Sequence, residues 1–161
     1  TALLGDRHLL VKGAQPRDRL LAEFRNAGDA VLLGTGTFWE GVDVRGEALT
    51  LVVIDKLPFA VPDDPLLVAR SAHLQRQGLN PFRHHQLPEA VLALKQGAGR
   101  LLRDPADYGV IVIGDRRITE RGYGRMFVSA LGPMPVLTNV ADAARFLESM
   151  QNAARATETL Q

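Results

Sequence analysis

Apolar and polar positions along the chain switch between two rhythms. Short runs that are apolar throughout alternate with longer stretches in which apolar residues recur every three or four positions. The continuous runs predict strands within HLLVKG (8–13), AVLLGTGT (30–37), LTLVVIDKLPF (49–59) and YGVIVIGDRR (108–117), with a further short strand at PVLTN (135–139). The periodic stretches predict helices. PRDRLLAEFRNAG (16–28) has Pro16 in its first turn and Gly28 near its end. DDPLLVARSAHLQRQG (63–78) is capped by Asp63 and stopped by Gly78. LPEAVLALKQGAGRLLR (87–103) is a longer helix, RGYGRMFVSALG (121–132) is helical or irregular, and VADAARFLESMQNAARATE (140–158) is a terminal helix.

Strands apolar on both faces and separated by helices define an α/β domain: an open, mostly parallel sheet with helices on both faces. Ligands of such sheets collect at the carboxyl ends of the strands. Three of those ends carry unusual polar chemistry here: Gly34 to Gly41, Asp55 to Phe59, and Asp115 to Arg117.

On the 87–103 helix, Val91, Leu94, Ala98, Leu101 and Leu102 fall on one side at about 100° per residue. Gln96, Arg100 and Arg103 fall on the opposite side, within roughly 60° of each other. Gly99, beside that polar stripe, costs about 1 kcal/mol of helix propensity relative to Ala. It leaves clearance for a ligand or a second surface to approach the arginines. A solvated face with a frayed end explains the same spacing.

The loop GTGTFWEGVDVRG (34–46) follows a strand. Its glycines let backbone amides face an anion, and its threonines can bond phosphate. Phe38 and Trp39 either stack on bases or plug the core. The chain has no Gly-Lys-Ser or Gly-Lys-Thr phosphate loop and no Asp-Glu pair ending a strand, so it is not a complete nucleotide hydrolase. His84 and His85 diverge and lack a ligand pattern around them, so no metal site is expected. No serine-hydrolase elbow occurs. Asp115 and Arg116 end a strand, where they face the ligand edge or form an intrachain ion pair.

Length and charge narrow the choice. A chain of 161 residues suits one compact domain with a real core, and residues 1–161 read as a single domain. The net charge of +1 gives no global field for nucleic acid or membrane, so any basic function is local. The 19 basic residues are nearly all Arg, the side chain whose planar fork grips phosphate, although genome composition produces the same bias. With no Cys, disulfides and thiolate metal sites are excluded. No apolar run approaches the roughly 18 residues that span a bilayer, and no signal peptide opens the chain; a cytoplasmic location is the expectation. The start at Thr1 suggests a piece of a longer protein.

GTGTFWEGVDVRG, LVVIDKLPF, LKQGAGRLLRD and VIVIGDRRITERGYGRMF, in this order, resemble the second RecA-like domain of the DinG/XPD-type superfamily 2 helicases, among them the bacterial DinG and YoaA-like proteins. The resemblance runs from about Val11 to Pro135. Gln96-x-x-Gly99-Arg100-x-x-Arg103 is similar to helicase motif VI, and Gly34 to Asp43 to motif V. The resemblance implies a RecA-like fold of the P-loop NTPase type without its own phosphate loop, acting as the second motor domain of an ATP-dependent DNA helicase. It implies that Arg100 and Arg103 reach the γ-phosphate of ATP held, with Mg2+, mainly by a first RecA-like domain. Gln96 would help order that interface; Gly41, Asp43 and Gly99 would bind the ATP, with Gly41 and Asp43 by the ribose. Thr35, Gly36, Thr37, Phe38 and Trp39 would contact single-stranded DNA. The family's iron–sulfur cluster belongs to the first domain, on which this segment is silent. SALGPMP, where relatives more often have a Ser-Leu-Pro turn, and Gly114, where a bulkier residue is usual, depart from the pattern. Two other readings fit the residues alone: a non-catalytic RecA-like module that binds nucleic acid or protein, and a flavodoxin-like small-ligand domain.

Overall fold

The computed structural model describes residues 6–35, 44, 48–101 and 107–158. Its elements run β1 (Leu9–Val11), α1 (Arg17–Ala27), β2 (Val31–Leu33), β3 (Leu51–Ile54), α2 (Pro65–Arg76), a π-helical turn (Phe82–Gln86), α3 (Leu87–Ala98), β4 (Val110–Ile113), α4 (Arg117–Glu120), α5 (Gly124–Leu131) and α6 (Val140–Glu158).

Two parallel strand pairs carry the described sheet structure. β1 pairs with β2 in the register Leu9–Val31, Leu10–Leu32, Val11–Leu33. β3 pairs with β4: Val110 N–H donates to the Thr50 carbonyl and Gly114 N–H to that of Ile54, both at 2.9 Å. Both strands advance four residues in the same sense between these bonds, so this pair is parallel as well.

The chain's internal contacts divide it into two compact units, one made of Thr1–Val52, Arg100–Ile111 and Pro135–Gln161, the other of Val53–Gly99 and Val112–Met134. In the first unit, Leu20, Leu21 and Phe24 on the apolar stripe of α1 close over Leu10 of β1. Val44 joins this core. In the second unit, Leu87, Ala90, Leu94 and Ala98 form the buried side of α3, and α5 contributes Phe127, which is fully buried. Phe59 stacks on Phe82 at 5.7 Å and meets Phe127 edge-on at 5.8 Å. Tyr123 completes this aromatic cluster.

Local chemistry explains the element ends and corrects several expectations. α2 is capped by Asp64, not Asp63: the Asp64 carboxylate accepts from Leu67 N–H at 2.9 Å, with Pro65 at the first helical position. Its end is a Schellman motif on Gly78, whose φ is +73°; Leu79 N–H bonds the Leu74 carbonyl and Gly78 N–H that of Gln75. α3 stops at Ala98 instead of running to Arg103, because Gly97 and Gly99 weaken its last turn and Gly99 becomes the cap. Residues 115–117 leave the strand early and turn into α4. Residues 135–139 form no strand; Pro133 and Pro135 flank the run, and Val136 is 74% exposed. β3 is not covered on both faces: Leu51 and Val53 are exposed, while Ile54 turns inward. Among the described residues no helix is long and apolar enough to cross a membrane.

Candidate functional site

The QGAGR segment sits at the end of α3. Leu94 and Ala98 are buried, whereas Gln96 is exposed on the opposite side, as the helical periodicity requires. Gly99 N–H makes the last i to i−4 bond, to the Lys95 carbonyl at 2.9 Å. A Cβ on Gly99 would meet only its own preceding turn, the Lys95 oxygen at 3.1 Å and the Gln96 oxygen at 3.7 Å. Arg100 is therefore the first residue past the helix, half-exposed in a turn, and Leu101 is buried again. Gly99 thus ends the helix immediately before Arg100. Arg103 lies outside the described residues, so the three-residue polar stripe is described only at Gln96 and Arg100.

Thr35 follows β2, and its Oγ1 accepts from Lys12 Nζ at 2.7 Å. The parallel register sets this contact, since β1 and β2 end side by side and Lys12 N–H bonds the Leu33 carbonyl at 2.9 Å. A cation thus stands at the mouth of the Gly/Thr loop. The remaining residues assigned there, Gly36, Thr37, Phe38, Trp39, Gly41 and Asp43, lie outside the described residues.

At the carboxyl ends of β3 and β4 the second unit holds a closed polar contact. The Asp115 side chain is 8% exposed. It accepts from Leu57 N–H at 2.9 Å and from Arg117 N–H at 3.0 Å. Arg117 Nε lies 2.9 and 3.0 Å from its two oxygens, and Nη2 lies 2.5 Å from Oδ2. The Arg117 guanidinium, aided by both backbone N–H groups, outweighs burial and holds the Asp115 carboxyl far below the usual carboxylate range. The Arg117 pKa is raised by the same pairing. Arg117 also lies over the Phe59 ring, 5.1 Å from its centroid.

The ion pair expected of Asp115 is thus made with Arg117. Arg116 is 84% exposed and pairs with Glu120 at 2.6 Å. Sequence reading missed Arg117 and Lys12. An Asp that accepts from the amide two residues on was the available signal for the first; strand register was the signal for the second. Among the described residues no three His, Asp or Glu side chains lie together as metal ligands.

With these contacts described, comparison with known proteins gives the family. Residues 2–134 match the helicase C-terminal domain family, and the chain belongs to that family. Its fold class is accordingly RecA-like. The chain is 52% identical over 139 residues to the ATP-dependent DNA helicase YoaA of Escherichia coli, covering 86% of the chain and 22% of that protein. It is 47% identical over 133 residues to the 3'-5' exonuclease DinG of Bacillus subtilis, covering 83% of the chain and 14% of that protein. It is 37% identical over 145 residues to the ATP-dependent helicase DinG of Mycobacterium tuberculosis, covering 90% of the chain and 22% of that protein. The chain therefore spans about a fifth or less of the length of these relatives.

Proposed function

We propose that this chain is the second motor domain of an ATP-dependent DNA helicase, its two strand pairs belonging to one open, mostly parallel RecA-like sheet. The family match over residues 2–134, with YoaA and DinG among the relatives, carries this reading. In it, ATP and Mg2+ are held mainly by a first RecA-like domain of the same protein. Arg100 and Arg103 approach from this side and stabilise charge developing on the transferring phosphoryl group. The release of Arg100 from α3 at Gly99 supports that role, since a guanidinium just past a helix tip can reach outward while Leu94 and Ala98 anchor the helix. Gln96 and Gly99 order the same edge.

Gly41 and Asp43 sit by the ribose, and Thr35, Gly36, Thr37, Phe38 and Trp39 form part of the single-strand track. Lys12, bonded to Thr35, adds a positive charge where that track begins. The lock between Asp115 and Arg117 is structural in this scheme, and Arg116 remains on the surface. Such a motor works in the cytoplasm, where its DNA is.

The test is ATP hydrolysis by the parent protein with and without single-stranded DNA. Hydrolysis stimulated by the strand is expected. A parent protein that binds DNA but never turns over ATP would make this domain a non-catalytic module.

A further inference from the structure

The second unit carries a cationic cleft that none of the motif segments uses. α2 and the π-helical turn wall a space of about 400 Å³, lined by Ala69, Arg70, His73, Leu74, His84 and His85. Three of the chain's four histidines meet an arginine there. The π-helical turn directly precedes α3 and begins at Asn80-Pro81, with Asn80 Oδ1 accepting from Arg83 N–H at 3.1 Å. Wide turns of this kind often mark functional positions.

Local bonding orients two of the rings. His84 Nδ1 lies 3.0 Å from the Asn80 carbonyl oxygen, and His85 Nδ1 lies 3.1 Å from Glu89 Oε1. Both partners only accept, so each Nδ1 carries the hydrogen. His73 faces the cleft from α2, where its Nε2 contacts Gln77 Nε2 at 3.1 Å.

Charge is unevenly spread. Glu89, on α3, is the carboxylate shared by this cluster, 3.5 Å from Arg70 and 3.1 Å from His85. Arg76 and Arg83, the next basic residues along α2 and the π-helical turn, are exposed and form no ion pair among the described residues. One carboxylate against three arginines is a local positive surplus in a chain whose net charge is only +1.

We propose that this cleft binds backbone phosphate of single-stranded nucleic acid, at a contact separate from the motif loops. The proposal rests on the reading that the parent protein holds a strand. Arg70 presents a guanidinium fork to phosphate oxygens. Ala69 and Leu74 offer apolar surface to the sugar. Arg76 and Arg83 carry the positive charge beyond the cleft, which suits a strand better than a compact phosphate.

The experiment measures affinity of the full-length parent protein for a fluorescent oligothymidylate, across salt, without ATP. Arg70→Ala/Arg83→Ala should weaken binding about tenfold in low salt and lower the slope of log affinity against log salt by about 1.4, two contacts at roughly 0.7 each. Arg83→Ala alone, at an exposed position, keeps the test independent of folding and should lower the slope by about 0.7. Variants with wild-type affinity and salt slope overturn this proposal while leaving the motor reading intact. A wild-type parent that binds no strand overturns both. If the variants lose binding of inorganic phosphate but keep the strand, the cleft is a small-anion site and the proposal fails.

Discussion

Arg117 grips both carboxylate oxygens of Asp115 while its guanidinium lies over the Phe59 ring, 5.1 Å from the centroid. Asp115 in turn holds the backbone N–H of Leu57. The exits of β3 and β4 are thus fastened to each other by one carboxylate. Both exits are carboxyl ends of parallel strands, where open α/β sheets bind ligands.

Removing that carboxylate should free the Leu57 amide. Asp115→Ala should cost about 1–3 kcal/mol, the range of charge-assisted hydrogen bonds, with the lower part favoured because Arg117 is 42% exposed. The check is hydrogen exchange in the parent protein, where Leu57 should lose protection and the β1–β2 amides should not. The sign with pH follows from the depressed Asp115 pKa. The stabilisation is fully present above the unfolded carboxylate value of about 4 and is lost as pH falls below it.

Gly124 should be intolerant of any side chain. A Cβ there would lie 1.9 Å from the Ile118 carbonyl oxygen and 2.6 Å from its carbon, both backbone atoms. Gly124→Ala must displace α4 from α5, at about 3 kcal/mol or more. Gly122 has nothing within 4 Å, so Gly122→Ala should be neutral or slightly stabilising. Thermal unfolding of the two variants side by side reads the difference.

Much of this was legible beforehand, for physical reasons. Period 3.6 placed α1, α2, α3 and α6, and the apolar side of α3 at Leu94 and Ala98 was read correctly because burial sets that pattern. Helix ends were harder. Gly97 and Gly99 looked like interruptions within a helix, and only tertiary structure shows that the second is its cap. Two adjacent aspartates gave no way to choose Asp64 over Asp63 as the cap of α2. Val136 and Leu137 looked like strand residues but have no partner strand among the described residues. The lock at Asp115 was half legible: an ion pair was anticipated, but choosing Arg117 over Arg116 required knowing where the strand stops.

The loop after β2 should act as a nucleic-acid track. Trp39→Ala should remove stacking of about 1–3 kcal/mol per base, and Thr37→Ala should weaken phosphate contact. Single-strand affinity of the folded parent variants, measured across salt, is the readout. Unchanged affinity and salt slope would make Phe38 and Trp39 core plugs.

The 161-residue chain alone should not hydrolyse ATP, because its sequence contains no phosphate loop. Phosphate release by the purified chain should stay at the buffer rate with or without single-stranded DNA. Sustained turnover would place a complete site within these residues.

Arg100 and Arg103 provide the most direct test of the motor reading. The charge they meet develops mainly in the transition state, so they should govern rate more than nucleotide affinity. The measurement is the DNA-stimulated ATPase rate of the full-length parent protein, alongside nucleotide binding, for Arg100→Ala and Arg103→Ala. The maximal rate should fall by about 10³-fold or more, and nucleotide affinity by less than about tenfold. Lysine should substitute poorly, because an ammonium lacks the planar fork. Near-normal turnover in both variants would contradict the motor assignment and make this helix end an ordinary solvated surface.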